Sequence, residues 1–313
     1  MQNTFTIKTP AKINLYLDVL NKREDGYHNI LSLMTMVGLY DRLTFSEIRS
    51  GIRLSVNSAK GVTSIKVPED HTNLVFRVAE LVLQEISPRR REVRPLRGVT
   101  PLAGVSIHLD KRIPVAAGLG GGSSDAAATL IGLNRLWSLQ WSHERLTELA
   151  AQLGSDVPFF LHGPTAWVSG KGEQIQYAAP PQYRWAVLVC LPIAVSTASV
   201  YQQFSDDCLT RNRAGVSIST KLATEKIIHH YNNQPYNRLA HITEKAFPVI
   251  RKVKKALRES GGEFVLMSGS GPTVFALFQE REQADKAVAE IKTTLPFGKT
   301  VLGSILKRRL KYF

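Results

Sequence analysis

Hydrophobic positions in the first part of the chain follow the alternation that is typical of β-strands. Residues 5–20 form an extended, mostly apolar run, and residues 34–48 and 52–57 alternate between apolar and polar side chains. The segment 104–110 shows the same pattern further along the chain. Because successive side chains of a strand point to opposite faces, these segments predict a sheet that packs at least one face against a core.

Apolar residues at helical spacing predict three helices in the first half of the chain. The first begins after Thr72, and we expect Pro88 to end it because proline lacks the N–H that a helix interior needs. The second covers 123–137, and the third begins near Ser142. Their apolar faces are formed by Leu74, Val78, Leu81, Val82 and Ile86, by Ala126, Leu130, Leu133 and Trp137, and by Leu146, Leu149, Ala150 and Leu153.

Strands and helices alternate in the second half. Residues 164–169 and 185–191 predict strands, and the polar stretch 206–220 predicts a flexible segment. The remaining order is a helix over 241–258, a strand over 263–268, a Gly-Ser-Gly turn, a strand over 273–278, a helix over 281–292 and a strand over 299–306. This order favours an α+β layer with helices on one face of the sheet, and a domain boundary near 160–180.

Length, composition and charge are those of a globular protein with an anionic partner. The 313 residues suit two domains, and 43% hydrophobic against 21% charged residues argues against disorder. The formal net charge of +14 favours a nucleotide, a phosphate, a nucleic acid or a membrane surface without choosing among them.

Cysteine usage predicts a cytoplasmic protein. Two cysteines, Cys190 and Cys208, form neither a disulfide framework nor a cysteine-rich metal site, which favours a reducing compartment. No apolar run approaches the roughly 18 residues that span a bilayer, and the first ten residues lack the apolar core of a secretory signal.

The glycine-rich segment after the 104–110 strand is the clearest candidate for chemistry. Its residues are Pro114, Val115, Ala116, Ala117, Gly118, Leu119, Gly120, Gly121, Gly122, Ser123 and Ser124. Glycine at four of five successive positions leaves room for a phosphate and permits positive φ values that turn N–H groups inward. The helix that follows directs its positive dipole end to the same place, and the two serines add hydroxyl donors or a metal ligand. The segment therefore predicts a site for a di- or triphosphate.

Three better-known glycine motifs do not fit. The Gly-Lys-Thr at 298–300 lacks the first glycine of a Walker loop, because residue 293 is threonine. Gly118-Leu-Gly120 has Ser123 where a dinucleotide fingerprint needs its third glycine, and no G-x-S-x-G nucleophile elbow surrounds the serines.

The segment resembles the second motif of the GHMP small-molecule kinases, Pro-x-x-x-Gly-Leu-Gly-x-Gly-Ser-Ser. Pro10-Ala-Lys-Ile-Asn-Leu15 near the N-terminus and Ser268-Gly-Ser-Gly-Pro-Thr273 near the C-terminus are similar to two further motifs, in the same order. The resemblance implies the two-lobed α+β fold of these kinases. Its N-terminal domain, residues 1–165, would be a ribosomal-protein-S5-like α/β domain that binds ATP, and residues 166–313 would form a ferredoxin-like α+β domain.

Further segments resemble one branch of these kinases. They are Asp25-Gly-Tyr-His28, Asp110-Lys-Arg-Ile-Pro114 and Leu153-Gly-Ser-Asp-Val-Pro-Phe159. The branch implies ATP-dependent phosphorylation of a hydroxyl on an alcohol that carries a cytidine diphosphate, in the non-mevalonate route to isoprenoid precursors.

The resemblance places Lys12 and Asp156 in the catalytic centre. Asp156 would accept the proton of the attacking hydroxyl, and Lys12 would hold that hydroxyl and stabilise charge on the transferred phosphoryl group. The residues alone favour a helix or turn cap for Asp156 and a solvated edge-strand position for Lys12.

The resemblance also assigns residues to the acceptor. Asn14, Tyr27, His28, Thr197 and Tyr201 match positions that hold it. Tyr27 and Tyr201 would sandwich the cytosine and His28 would hydrogen-bond its edge, because stacking alone does not select a base. For both tyrosines, ordinary half-buried packing is the alternative.

Donor-binding positions complete the implied site. Asn73 and Lys111 match positions near the nucleoside end of ATP, with a helix N-cap and a surface lysine as alternatives, and Gly269, Ser270 and Gly271 form the third glycine motif. ATP and a Mg²⁺ ion bridging its phosphates are implied, without an assigned side-chain metal ligand. The implied partner is the small cytidine diphosphate-bearing substrate, with no nucleic acid and no membrane, and the chain would be a monomer or homodimer.

Two other functions remain open. The same fold accepts alcohols without a base, such as homoserine or mevalonate, although Gly-Tyr-His and Tyr201 argue against them. A nucleic-acid-binding protein would use the basic segment 88–101 and the basic tail. Their cations are Arg89, Arg90, Arg91, Arg94, Arg97, Lys307, Arg308, Arg309 and Lys311. Aromatic residues do not interleave with these arginines, so a solvated insertion and tail are favoured.

Overall fold

The structure is a computed structural model that describes residues 4–59, 62, 66–92, 103–210, 225–229, 231–232 and 234–308. The strands are β1 (Thr4–Lys22), β2 (His28–Ile48), β3 (Ser50–Ser58), β4 (Ala103–Lys111), β5 (Thr165–Gly170), β6 (Gln174–Tyr177), β7 (Trp185–Cys190), β8 (Tyr236–Asn237), β9 (Phe264–Met267), β10 (Val274–Phe278) and β11 (Lys299–Ser304). The helices are α1 (Leu74–Glu92), α2 (Gly121–Leu136), α3 (His143–Leu153), α4 (Val157–His162), α5 (Thr197–Thr210), α6 (Ala240–Ala246), α7 (Val249–Glu259) and α8 (Arg281–Thr294). A short helical segment also covers residues 225–229.

The first sheet is built around the long antiparallel pair of β1 and β2. The strand order is β3-β4-β2-β1-β8. β2 has 21 residues, so its later part pairs with β4 and its earlier part pairs with β5. The pairing shifts between Asn14 and Tyr16 in β1. Helices α1 to α4 cover one face of this sheet, where their apolar stripes join the buried side chains of β2 and β4 in one core.

The second sheet has the order β11-β7-β10-β9, and every pair in it is antiparallel. With helices between β7 and β9 and between β10 and β11, this is the ferredoxin-like arrangement expected for the second half. Val187 and Val265 face α7 and α8, whereas Leu188 and Leu266 face the first sheet. The alternation of buried side chains along β7 and β9 therefore produces four layers, helices-sheet-sheet-helices. The expected two-lobed α+β fold is confirmed.

The chain does not pass from the first sheet to the second at residue 165. β5 and β6 belong to the first sheet, so the chain passes between the sheets over residues 178–184. β8 then returns to pair in parallel with β1. The division into domains 1–165 and 166–313 stays a prediction.

Two proline positions behave in opposite ways. The predicted end at Pro88 is wrong, because α1 continues to Glu92. A proline removes one N–H and crowds one carbonyl, and the residues after it still form helical hydrogen bonds. The predicted single helix over 241–258 is instead two helices, because Pro248 forces the preceding Phe247 out of the helical region, to φ −131° and ψ 81°.

The segments predicted to be flexible or basic are only partly described. α5 includes residues 206–210, so the start of the predicted flexible stretch is helical, and residues 211–220 lie outside the described residues. Residues 93–101 of the basic segment and 309–313 of the tail also lie outside them. Within the described part of the chain, the helices are too short or too polar to cross a lipid bilayer.

Candidate active site

A cavity of about 430 Å³ opens where the glycine-rich loop meets β1, the start of α1 and the turn between β9 and β10. Most residues expected to bind the donor, to take part in catalysis or to hold the acceptor lie on its wall. They are Lys12, Asn14, Asn73, Lys111, Pro114, Val115, Ala116, Ala117, Gly118, Leu119, Gly120, Gly121, Gly122, Ser123, Asp156, Thr197, Tyr201, Gly269 and Ser270. Segments far apart in sequence are thus assembled around one space.

A second cavity, of about 650 Å³, contains the residues expected to recognise a base. Tyr27 and His28 line it together with Tyr201. It shares Ser123, Asp156, Thr197, Tyr201 and Ile30 with the first cavity. The two cavities therefore meet at Asp156.

Lys12 and Asp156 form the charged pair at this junction. Lys12 lies on β1 and is 4% exposed, while Asp156 immediately precedes α4. The Lys12 Nζ atom is 3.3 Å from Oδ2 of Asp156 and donates a 2.7 Å hydrogen bond to Oδ1 of Asn14. The Asp156 side chain makes no capping hydrogen bond to α4, so its carboxylate is directed to the lysine instead.

Asn14 connects this pair to the C-terminal half of the chain. Its Nδ2 donates to Oγ of Ser32 at 2.8 Å, which fixes the amide orientation. Ser268 Oγ lies 3.4 Å from the Asn14 oxygen and donates a shorter, 2.8 Å hydrogen bond to the carbonyl of Gly118. Ser32 and Ser268 were not assigned from the sequence, although Ser268 opens the third glycine motif.

The glycines of the loop serve mainly to let the protein pack against itself. Gly118 and Gly120 have φ values of 74° and 67°, in the left-handed region. A Cβ at Gly118 would lie 2.2 Å from the carbonyl oxygen of Ser268, and one at Gly120 would lie 2.9 Å from Cγ of Lys12. A Cβ at Gly121 would lie 2.9 Å from the Ile113 side chain.

Gly122 is different from the other three glycines. A Cβ there would meet nothing closer than Leu74, at 3.8 Å, and the residue is exposed on the wall of the first cavity. Of the four glycines, only Gly122 borders open space, and its expected role of leaving room for a phosphate stays a prediction. α2 begins at Gly121, so its first N–H groups lack helical partners at the same place.

The serine pair is divided between surface and core. Ser123 lines both cavities, whereas Ser124 is 1% exposed and lines neither of them. The Ser124 hydroxyl has no hydrogen-bond partner among the described residues. Its expected contact with a phosphate stays a prediction.

Lys111 occupies a buried ionic network under the loop. Its Nζ donates to Asp41 at 2.5 Å and to Asp125 at 2.9 Å, and Thr9 donates to the other oxygen of Asp125 at 2.7 Å. Burial would lower the pKa of Lys111, but the two carboxylates raise it above its ordinary value, so it stays charged. Asp41 Oδ1 also accepts the N–H of Ile113 at 2.8 Å, which fixes the start of the loop.

The buried position of Lys111 differs from the surface position that was its alternative interpretation from the sequence. Two carboxylates already pair with the charge of Lys111. Burial and the like charge of Asp41 raise the pKa of Asp125, and the Lys111 ammonium group only partly opposes this shift. Asp41 and Asp125 were missed from the sequence, since nothing local indicates that residues 70 and 14 positions from Lys111 meet it.

Asn73 caps α1, as its alternative interpretation predicted. Its Oδ1 accepts the N–H of Val75 at 2.9 Å, and its Nδ2 donates to the carbonyl of Pro68 at 2.7 Å. Asn73 also lines the first cavity. Its position is therefore compatible both with a helix N-cap and with a contact to the nucleoside end of ATP.

His28 is held against α5 in the second cavity. Its Nε2 is 2.8 Å from Oγ of Ser205, and its ring centre lies 5.2 Å from that of Tyr201. Burial and the charge of Lys22 lower the pKa of His28, so the imidazole is neutral at pH 7. Burial and the nearby Asp156 carboxylate raise the pKa of Tyr201, which keeps its hydroxyl protonated. Tyr27 is 58% exposed, and the Lys171 ammonium group lies over its ring, 5.4 Å from the ring centre.

The third glycine motif forms the β9–β10 turn. Gly269 and Gly271 have φ values of 58° and 86°, and Oγ of Ser270 is 2.9 Å from Oγ1 of Thr197. Asn237, which the sequence did not single out, donates to the carbonyls of Met267 and Gly269 at 2.8 Å. Gly269 and Ser270 reach the first cavity, whereas Gly271 is not on its wall.

Family models match both halves of the chain. The model described as the GHMP kinases N terminal domain matches residues 73–164, and the GHMP kinases C terminal model matches residues 225–296. The glycine loop lies within the first match. The chain belongs to the GHMP kinases, which are phosphotransferases.

Individual relatives indicate to which branch of the GHMP kinases the chain belongs. A protein of Exiguobacterium sibiricum is 42% identical, with 90% of this chain and 92% of the relative covered, and one of Bacillus subtilis is 40% identical, with 89% and 90% covered. Both are named 4-diphosphocytidyl-2-C-methyl-D-erythritol kinase. A crystal structure of 4-(cytidine 5'-diphospho)-2C-methyl-D-erythritol kinase has a TM-score of 0.73 and 32% identity, covering 96% of this chain and 99% of that one. Within the GHMP kinases, the chain falls in the family of the 4-diphosphocytidyl-2-C-methyl-D-erythritol kinases.

A more distant structure shares the fold alone. Homoserine kinase from Cytophaga hutchinsonii has a TM-score of 0.67 but only 17% identity, although 99% of this chain is covered. The expected resemblance to the branch with a cytidylated acceptor is confirmed by the closer relatives.

The contrast between Gly122 and Gly118 gives a test of the loop. Gly122→Ala should raise the KM for ATP about ten-fold, because its methyl group would occupy the space assigned to a phosphate. Its free energy of unfolding should be unchanged or rise by up to about 1 kcal/mol, since alanine favours the helix. Gly118→Ala should lower that free energy by about 2 kcal/mol or more, from positive φ and backbone overlap.

Urea unfolding and steady-state kinetics measure the two effects separately. An unchanged KM for ATP in Gly122→Ala would show that no phosphate approaches this residue.

Proposed function

We propose that this protein transfers the γ-phosphoryl group of ATP to the 2-hydroxyl of 4-diphosphocytidyl-2-C-methyl-D-erythritol, in the non-mevalonate route to isoprenoid precursors. The observation that carries the proposal is the position of Asp156 on both cavities, 3.3 Å from Lys12. A donor in the first cavity and an acceptor in the second would meet at this pair.

The Lys12–Asp156 pair suits direct transfer without a covalent intermediate. The Asp156 carboxylate accepts the proton of the attacking hydroxyl as the new oxygen–phosphorus bond forms, while the bond from the γ-phosphorus to the bridging oxygen breaks and ADP leaves. The Lys12 ammonium group holds the hydroxyl and neutralises charge on the transferred oxygens. Asn14 positions the ammonium group through its 2.7 Å hydrogen bond.

The donor fits the loop through backbone groups. The open space at Gly122 and the first N–H groups of α2 suit the phosphates of ATP. Within the described residues, no group of three His, Cys, Asp or Glu side chains is arranged to hold a metal ion. The Ser123 hydroxyl would help to hold a Mg²⁺ ion bound together with ATP, and the ion would supply positive charge that neutralises the phosphates.

The second cavity suits the cytidine end of the acceptor. Tyr27, Tyr201 and the neutral His28 line it together, so aromatic rings and a hydrogen-bonding imidazole are available to a base. Thr197 lies beside both cavities and would contact the acceptor between base and hydroxyl. A cytoplasmic location and a monomeric or homodimeric state remain predictions.

An acceptor comparison tests the proposed substrate. ATP consumption should be rapid with 4-diphosphocytidyl-2-C-methyl-D-erythritol and near background with homoserine or mevalonate, which have no base to fill the second cavity. A coupled ADP-release assay measures all three. Equal turnover of homoserine or mevalonate would contradict the cytidylated acceptor.

Replacing the proposed base tests the mechanism. Asp156→Asn should lower kcat by about 10²–10⁴-fold, because the amide cannot accept the proton, while the KM for ATP changes little. Asp285→Asn, an exposed carboxylate of α8 outside both cavities, is the control. Near-normal turnover of Asp156→Asn would remove the base assignment.

Removing one aromatic face tests recognition of the base. Tyr27→Ala should raise the KM for the cytidylated acceptor roughly 5- to 150-fold, since base stacking contributes about 1–3 kcal/mol. Tyr177→Ala, another exposed tyrosine outside both cavities, should leave it unchanged. Equal KM values in the two variants would exclude stacking on Tyr27.

A further inference from the structure

The second cavity carries two lysines that the proposed reaction has not used. Lys22 ends β1 and Lys171 follows β5, and both line this cavity with Tyr27, His28 and Asp156. In the part of the chain that the structure describes, neither ammonium group forms an ion pair with a carboxylate. Their charges are therefore available to a ligand.

Both lysines lie at the end of the cavity that is assigned to the base. The Lys171 Nζ atom is 5.4 Å from the centre of the Tyr27 ring, and Lys22 is close enough to His28 to lower its pKa further than burial alone does. The nearby Asp25 carboxylate accepts hydrogen bonds from Arg23 and from the N–H of Tyr27. The charge of Lys171 helps to lower the pKa of Asp25 from a distance, but the two side chains do not form an ion pair.

Asp156 lines the same cavity as the two lysines. A Cβ at Gly172, the residue after Lys171, would lie 2.4 Å from the carbonyl oxygen of Ser155, the residue before Asp156. The ammonium group of Lys12, 3.3 Å from Asp156, lines the first cavity and not the second. An acceptor that spans Tyr27 and Asp156 must place its diphosphate between them. Two phosphate charges near this carboxylate need further cations close by, because like charges repel strongly in a partly enclosed site.

We infer that Lys22 and Lys171 bind the diphosphate of the acceptor and make the site select a cytidine diphosphate over a bare nucleoside. The inference rests on the proposed function. Lysine suits this task, because its ammonium group is a mobile point charge that adapts to phosphate oxygens. Stacking on Tyr27 and recognition of the base by His28 then do not depend on the charge of the diphosphate.

Inhibition by cytidine 5'-diphosphate and by cytidine separates charge recognition from base recognition. Both are measured as competitive inhibitors against the acceptor, at fixed ionic strength, in the wild type, Lys22→Met, Lys171→Met and the double variant. Each single variant should weaken inhibition by the diphosphate about five- to ten-fold and leave cytidine within about two-fold. Lys22→Arg and Lys171→Arg should retain most of the wild-type preference.

A matched control removes a lysine without touching the cavity. Lys252→Met, on the exposed side of α7, changes the net charge equally and should leave both inhibition constants unchanged. Melting temperatures verify that each variant is folded.

Three results would overturn the inference. An unchanged constant for the diphosphate in the double variant would exclude both lysines from its binding. Equal weakening of cytidine and its diphosphate would assign the lysines to the base. If Lys252→Met weakened inhibition by the diphosphate equally, the effect of the lysines would come from net charge alone. If the wild type bound neither compound, the proposed acceptor itself would be wrong.

Discussion

The close approach of Gly118 to the carbonyl of Ser268 is the contact on which the site depends. It brings the glycine loop, which belongs to the first sheet and its helices, against the turn between β9 and β10 of the second sheet. Only glycine permits this distance at positive φ. Gly118 lines the first cavity beside this contact, and Lys12 and Asn14 lie on the same wall.

Four lysines at the site illustrate how burial and partners decide what a charge does. Lys111 is buried and shared by two carboxylates, so its charge organises the loop from beneath. Lys12 is equally buried but faces one carboxylate at the junction of the cavities, where it can act on a reacting group. Lys22 and Lys171 have no such partner among the described residues, and their charge is directed to the open cavity.

Local sequence signals were reliable where the chemistry is local. The glycine loop, the helix that follows it and the strand before it were placed within a few residues. The two prolines show the limit, because Pro88 and Pro248 give the same sequence signal and only one of them ends a helix. Whether a helix continues past a proline depends on the backbone conformation of the neighbouring residues. The preferences of single residues carry no information about that conformation.

The sequence by itself determined the kinase family, the alternation of elements that produces the ferredoxin-like sheet, and the pairing of Lys12 with Asp156 through recognisable motifs. Tertiary structure alone decided that Lys111 is neutralised by Asp41 and Asp125, and that Gly122 rather than Gly118 faces open space. The reason is physical. A motif fixes residue types and local backbone, whereas burial, charge pairing and free volume depend on segments that meet only when both sheets pack together.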